Sequence, residues 1–270
     1  SRYKTDFTEL AFLGKGGFAS VYKVKNNLDG REYAIKKVPI RAKHLNDKDK
    51  LDVIFKEIKT LAKLEHGNIV RYYSAWVESA TGLMAKKEAE RKEILTLMIM
   101  MSVHPLTLKE FLRNEGSEST QDSAKYCWHL KCALKLFRGV LDGAEYLHNK
   151  GIVHRDLKPG NIFLNIEAHD QDVNGAKDKG LDCRYCDKRC GLVPRIGDFG
   201  LVAELVDGYQ FQFANTPLNG PGVAAHHSRR GKNIICEKTD IYALGIIFFE
   251  LLYRCDTGSE RVKCIMDVRE

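Results

Sequence analysis

The chain has 270 residues, 44% hydrophobic and 29% charged, with 22 glycines and 6 prolines, which excludes a disordered chain, a collagen-like fibre and a disulfide miniprotein. That length makes one large domain or two small ones, with ample material for a core. Lysine and arginine number 43 against 36 acidic residues, a formal charge of +7 with both signs spread along the chain, so the surface reads as mildly basic and not as a nucleic-acid footprint; an anionic ligand fits such a balance.

Strand-forming residues at 10–13 and 18–25 flank a glycine cluster, and Asp29-Gly30 makes a hairpin turn into a strand at 32–38 that ends at Pro39. Residues 48–64 put Leu51, Ile54, Ile58, Leu61 and Ala62 on one helical face. Strands at 69–77 and 94–100 follow, separated by a charged link at 79–92. Beyond residue 103 the periodicity turns helical, with a short helix at 107–114 and a long amphipathic one at 130–148 whose apolar face is Leu130, Leu134, Phe137, Leu141 and Ala144. A helix at 239–252 is apolar nearly all round, as a buried central helix should be, and an amphipathic helix at 259–270 closes the pattern. The expected fold class is α+β: a small sheet-rich half with one main helix at 1–101, then a larger helical half at 102–270, with no internal repeats.

No stretch approaches the roughly 18 apolar residues of a membrane span; residues 95–103 are too few, and 243–253 are interrupted by Glu250. The first residues are polar and carry no signal-peptide core, so the eight cysteines are expected as reduced thiols in a cytosol-like compartment.

Four local signals carry chemistry. Gly14-Lys15-Gly16-Gly17-Phe18-Ala19-Ser20-Val21 lies in a strand–turn–strand setting, where glycines let backbone N–H groups approach phosphate oxygens; taken alone, a plain glycine hairpin is the commoner explanation. Lys36, in Ala34-Ile35-Lys36, would need an anion if its strand face is buried, with Glu57 on the following helix the natural carboxylate; otherwise it is a surface lysine. His154-Arg155-Asp156-Leu157-Lys158-Pro159-Gly160-Asn161, directly after the long helix, is the most specific signal. Gly197-Asp198-Phe199-Gly200 follows downstream, weak by itself but in the required order.

Together these residues resemble the protein-kinase signature set, which implies a bilobal fold with an antiparallel small lobe and a helical large lobe whose last helices are missing here. By that resemblance Gly14, Gly16 and Gly17 cover the phosphates of ATP, with Leu13 beside them, and Lys36, held by Glu57, binds the alpha and beta phosphates. Asp156 accepts the proton of the substrate hydroxyl, Lys158 steadies the transferred group, and Asn161 and Asp198 hold Mg2+. Val21, Ala34 and Phe163 sandwich the adenine, Met100 is the gatekeeper, and Met101 to Val103 form the hinge. Lys158 points to the serine/threonine branch, and His154 reads as a core histidine bridging to Phe199.

Further residues narrow the resemblance. Ser1-Arg2-Tyr3 with Asp6-Phe7, Asn26-Asn27-Leu28-Asp29-Gly30, Leu64-Glu65-His66, and Asn68-Ile69-Val70-Arg71-Tyr72-Tyr73-Ser74-Ala75-Trp76 are similar to the kinases of the translation initiation factor 2 alpha subunit. The stretches Glu250-Leu251-Leu252-Tyr253, Glu260-Arg261-Val262 and Asp267-Val268-Arg269 agree, and are most similar to the PKR-like kinase of the endoplasmic reticulum, then to the haem-regulated kinase. The resemblance implies that substrate, repression of translation under stress, and a cytoplasmic location, which for the endoplasmic-reticulum member means the cytosolic part of a membrane protein. It also implies a homodimer in which Arg2 and Asp6 exchange salt bridges across two small lobes, a docking role for the helix at 259–270, and a link at 79–92 that is short for the family. A solvated terminal pair is the plain alternative for Arg2 and Asp6.

Two stretches depart from the kinase pattern. Residues 165–194 form an insertion carrying Cys183, Cys186 and Cys190; zinc wants four ligands, so His169 or an aspartate would have to complete a site, against an ordinary loop of free thiols. Where the activation segment should carry Gly-Thr and Pro-Glu pairs, the chain has Gly220-Pro221 and His227-Ser228, with Thr216 the nearby candidate for a phosphate that Arg155 would receive. Three readings therefore stand: an active kinase of the initiation factor, an ATP-binding pseudokinase acting as a dimerisation or scaffold module, and a basic nucleic-acid module, for which aromatic-basic interleaving is missing.

Overall fold

The computed structural model describes residues 1–16, 19–40, 58–59, 61–80, 94–113, 129–166, 192–198, 237–253 and 257–267. These fall into two units, the first within Ser1–Glu65 and Val70–Val103, the second comprising His66–Ile69 and the described residues beyond Val103.

The first unit is an antiparallel sheet of five strands, β1 (Phe7–Lys15), β2 (Ser20–Asn26), β3 (Glu32–Ile40), β4 (Tyr72–Ala80) and β5 (Ile94–Met101), in the order β1-β2-β3-β5-β4. The turn into β3 forms where Asp29-Gly30 predicts it, but Asn26 nucleates it. Its Oδ1 accepts the Leu28 and Asp29 N–H groups at 2.8 and 3.2 Å. Gly30, at φ 71°, supplies the left-handed residue. Strand β1 runs longer than expected because it lies at an edge and stays largely exposed, so ladder bonds define it and no burial alternation marks it. Strand β3 continues through Pro39: β2 ends its pairing at Lys37, so a proline with one strand neighbour breaks no ladder bond on the other side. Strand β4 begins at Tyr72; Ile69 instead makes an isolated parallel bridge to Ile196 in the second unit.

A short helix, α1 (Arg2–Asp6), packs on one face of this sheet, where Tyr3, Phe7, Val24, Tyr33, Ile35 and Met98 form a core flanked by Tyr22, Trp76 and Met100. Burying side chains of this size contributes roughly 1.5–3 kcal/mol each. Phe7 stacks on Trp76 with ring centroids 5.9 Å apart. Of the helix expected at 48–64, residues 58–59 and 61–62 are helical, with Leu61 and Leu64 buried; the rest lies outside the described residues, as does most of the 79–92 link.

The second unit contains α2 (Leu108–Arg113), α3 (Leu130–Asn149), α4 (Lys238–Leu252), α5 (Gly258–Asp267) and a small sheet of β6 (Leu106–Thr107), β7 (Ile162–Ile166) and β8 (Leu192–Ile196). Thr107 and Glu110 form a capping box that starts α2: the Thr107 N–H donates to Glu110 Oε2 at 2.6 Å, and the Glu110 N–H to Thr107 Oγ1 at 3.2 Å. Asn165 pairs with Val193 and Ile166 with Leu192, so the hairpin claims both ends of the predicted insertion. Only residues 167–191 join β7 to β8; they lie outside the described residues with His169, Cys183, Cys186 and Cys190.

The buried face of α3 is not the expected one. Cys132, Ala133, Leu136, Val140, Gly143, Ala144 and Leu147 face inward, whereas Leu130, Leu134 and Leu141 are 62%, 44% and 40% exposed. Of the expected face Ala144 is buried; the inward face otherwise combines Leu136, Val140 and Leu147 with small residues, which let Asn68 and β8 come against the helix. A Cβ on Gly139 would lie 2.7 Å from Pro194 Cγ, and one on Gly143 would lie 2.8 Å from the Asn68 carbonyl oxygen. Phe137 stacks on Phe248 of α4, with centroids 4.5 Å apart.

Helix α4 buries Ala243, Leu244, Ile246, Ile247 and Leu251, but Ile241 and Leu252 are exposed, so it is not buried all round as expected; its buried residues include Asp240 and Glu250, the latter paired with Arg261 of α5. Cys132 is disulfide-bonded, which departs from the all-reduced thiols expected. Cys264 is a free thiol.

Candidate active site

In the second unit the chain leaves α3 through a glycine cap. Gly151, at φ 71°, donates its N–H to the His148 carbonyl at 2.8 Å while Ile152 donates to that of Leu147 at 2.9 Å, the paired bonds of a Schellman motif. This turn delivers residues 152–156 to Asp240 at the start of α4. Asp240, 1% exposed, accepts the His154 N–H on Oδ2 at 2.8 Å and the Arg155 N–H on Oδ1 at 2.9 Å, and His148 Nε2 lies 2.8 Å from Oδ2. Arg155 is held at φ 71°, a conformation a non-glycine residue keeps only under such constraint.

His154 is a core histidine, as expected. Its Nδ1 accepts the Asp156 N–H at 3.3 Å and its Nε2 lies 3.1 Å from the Gly197 carbonyl oxygen, which fixes the neutral tautomer with the proton on Nε2. Burial lowers its proton affinity, and the Gly197 carbonyl partly offsets that. Phe199, the expected partner, lies outside the described residues, as does Gly200.

The expected catalytic residues follow. Lys158 Nζ donates to Asp156 Oδ2 at 2.6 Å, and Asn161 Nδ2 donates to the same oxygen at 3.0 Å and to the Asp156 carbonyl at 2.8 Å. Leu157 is buried beneath them, and a tight turn at Pro159–Asn161 leads into β7. The Gly197 N–H donates to the Asn161 carbonyl at 3.0 Å, which ties the strand ending before Asp198 to the same loop; Asp198 is itself left-handed at φ 56°. Asp156, Lys158, Asn161 and Asp198 are thus gathered in one unit. Phe163 lies on the β7 face shared with Thr107 and Arg195, its ring 5.8 Å from that of His104. Burial first, and the Arg195 charge second, push the His104 imidazole down to about 4.

In the first unit, strand register sorts the expected nucleotide residues. Cross-strand partners share a face and adjacent residues oppose each other. Lys36 pairs with Val21 and Ile99, and Ala34 with Met101, so Val21, Ala34, Lys36 and Met101 occupy one face. Met100 pairs with Ile35 and packs with the Tyr3–Phe7 core on the other face. The expected gatekeeper therefore points away from the lysine, and Met101 stands where Met100 was expected; in a run of apolar residues such as Ile94–Met101, the strand period cannot be phased without the register. Leu13 is 48% exposed on β1, Gly14 pairs with Val21, the Gly16 N–H donates to the Ala19 carbonyl at 2.8 Å, and Val103 is partly buried. Glu57 and Gly17 lie outside the described residues, as do Thr216, Pro221 and Ser228.

These residues fit ATP and magnesium. A Cβ on Gly14 would meet nothing within 4 Å, so the backbone there is open to a phosphate. Among the described residues no three His, Cys, Asp or Glu side chains group as a metal cage. Mg2+ needs none: it takes one or two protein oxygens and completes its shell with phosphates and water, and Asn161 and Asp198 offer such a pair. Sequence reasoning missed Asp240 as the anchor of the loop, His148 beside it, and Asn68, Gly139 and Gly143, which bring β8 to α3. A buried acid in an otherwise apolar helix was the available signal for Asp240; Asn68 carried none.

Comparison with known proteins agrees with this geometry. The family model described as the protein kinase domain matches residues 7–265. The chain is 30% identical over 299 residues to eIF-2-alpha kinase GCN2 of Arabidopsis thaliana, covering 97% of this chain and 21% of that protein. It is 31% identical over 274 residues to the interferon-induced, double-stranded RNA-activated protein kinase of Rattus norvegicus, covering 97% of this chain and 44% of the relative. It is 28% identical over 415 residues to eukaryotic translation initiation factor 2-alpha kinase 1 of Schizosaccharomyces pombe, covering all of this chain and 58% of the relative. The chain thus spans less than two thirds of the length of these relatives. No helix among the described residues is long and apolar enough to cross a membrane. The chain belongs to the protein kinase domain family, whose members are ATP-dependent phosphotransferases.

Proposed function

We propose that the chain is a serine/threonine kinase that transfers the γ-phosphoryl group of ATP to a serine of the translation initiation factor 2 alpha subunit and so represses translation under stress, acting in the cytoplasm. The observation that carries this is the Asp156 carboxylate held at 2.6 Å by Lys158 Nζ and at 3.0 Å by Asn161 Nδ2, in a loop whose backbone is anchored on Asp240. The choice of substrate rests on the relatives named as eIF-2-alpha kinases.

Phosphoryl transfer asks little covalent chemistry of a protein and much positioning. When bound, ATP supplies the phosphoryl group and Mg2+ offsets charge on its oxygens. Asp156 orients the substrate hydroxyl and receives its proton. Lys158, already beside that carboxylate, would steady the transferred phosphoryl group by offsetting charge on its oxygens. Asn161 and Asp198 would hold the metal; Lys36, on the face with Val21, Ala34 and Met101, would hold the phosphates. Helix α5 would dock the initiation factor, with Ile265 buried and the Arg261–Glu250 pair anchoring it to α4. Arg2 and Asp6 pair with each other at 3.3 Å, both about half exposed, and would exchange partners across a homodimer.

The test is purified chain with magnesium-ATP and the alpha subunit, Asp198→Ala serving as control. Phosphate transfer abolished by that substitution is the expected result. ATP binding with no transfer would overturn the kinase reading in favour of a scaffold pseudokinase, to which the sequence at Pro221 and Ser228 would then correspond.

A further inference from the structure

On the sheet face opposite Lys36, the neighbouring Lys37 is enclosed. Its ammonium lies 3.8 Å from the Tyr3 ring centroid and 4.1 Å from that of Tyr22, and donates to Glu9 Oε1 at 2.6 Å. The Tyr3 hydroxyl donates to the same Glu9 oxygen at 2.6 Å. Hydrogen bonds from Lys37 and then Tyr3 hold the Glu9 carboxyl below the usual carboxylate range. The cage thus draws one wall from α1, one from β1 and one from β2, around a cation on β3.

Its α1 wall is itself fastened. The Tyr3 N–H donates to Glu78 Oε1 at 2.6 Å, and the same oxygen accepts Trp76 Nε1 at 2.9 Å. Asn27 accepts the Thr8 hydroxyl on Oδ1 at 2.7 Å and donates to the Thr5 carbonyl at 3.0 Å, and its N–H reaches the Asp6 carbonyl at 2.8 Å. A surface lysine needs none of this. Caging it fixes the β3 backbone at the position next to Lys36, and adjacent strand residues share that backbone while pointing to opposite faces.

We infer that Lys37, Glu9 and Tyr3 are positioning residues for the kinase reaction, coupling the seat of helix α1 to the strand that presents Lys36. The inference rests on the reading of Lys36 as the phosphate-binding lysine. Loosening the cage weakens ATP binding without touching the groups that move the proton, so the effect falls on KM for ATP and spares kcat.

The experiment measures KM and kcat for ATP, and amide hydrogen exchange over residues 34–38, in the full 270-residue chain. Lys37→Met and Glu9→Gln should raise KM about fivefold with kcat within about twofold, while Lys37→Arg, which keeps a cation over the rings, restores KM to within about twofold. Exchange at 34–38 should quicken in Lys37→Met and Tyr3→Ala and stay slow in Lys37→Arg. An unchanged KM in both Lys37→Met and Glu9→Gln, or a failure of Lys37→Arg to restore it, overturns the inference while leaving the kinase reading intact. Absence of magnesium-ATP binding by the unsubstituted chain, read by calorimetry, overturns the kinase reading and this inference with it.

Discussion

Two pairs of glycines show how differently the two units use one residue. Gly14 and Gly16, in the first unit, have open space where a side chain would begin: a Cβ on Gly14 would meet nothing within 4 Å, and one on Gly16 only the Ala19 carbonyl oxygen at 3.9 Å. Gly139 and Gly143, in α3, leave no such room, with Pro194 and Asn68 atoms 2.7–2.8 Å from the added carbon. The first pair leaves open space at the place proposed for the nucleotide; the second is required by the close packing of α3. The same contrast runs through the polar groups. The side chains read as nucleotide-binding in the first unit stand at ordinary strand positions, while in the second unit the backbone leading into Asp156 is held by the buried Asp240 carboxylate.

The largest test of that contrast is Asp240→Ala. It strands one buried and one part-buried backbone donor and should destabilise the chain by about 3 kcal/mol, read as a lowered urea midpoint, with the amides of 154 and 155 becoming quick to exchange. Retention of the midpoint would mean that the catalytic loop does not depend on its anchor. Gly139→Ala comes next. Helix propensity favours it, but Pro194 and Asn68 must retreat, so a net loss of about 1–2 kcal/mol is expected in the same measurement. Gly14→Ala is the smallest in stability and the sharpest in meaning: the urea midpoint should stay within about 0.5 kcal/mol while affinity for magnesium-ATP falls. A destabilised Gly14→Ala chain with unchanged nucleotide affinity would reverse the assignment of the two glycine pairs.

Much of the site was legible in the sequence because its signals are local. Within the run His154 to Asn161, Lys158 and Asn161 both bond Asp156, so motif spacing conveyed that part of the arrangement. The assignments that failed depended on phase or on distant partners. Met100 and Met101 are chemically alike, and only pairing with Ile35 and Ala34 tells which one shares a face with Lys36. The apolar stripe of Leu130, Leu134 and Leu141 satisfied helical periodicity, yet α3 buries a neighbouring stripe of Leu136, Val140 and Leu147 with Gly139 and Gly143 close against Pro194 and Asn68.

The sequence by itself determined the family and the α+β class, and motif spacing over a few consecutive residues set the candidate carboxylate, lysine and amide together, since local chemistry is encoded locally. Tertiary structure alone decided that Asp240 anchors the catalytic loop from 84 positions beyond Asp156, that Asn68 joins the second unit through the Pro194 carbonyl at 2.9 Å, and that Lys37 sits in a cage built from α1, β1 and β2. Such contacts close over long loops between residues with no shared pattern, and burial fixes them only once the chain has folded.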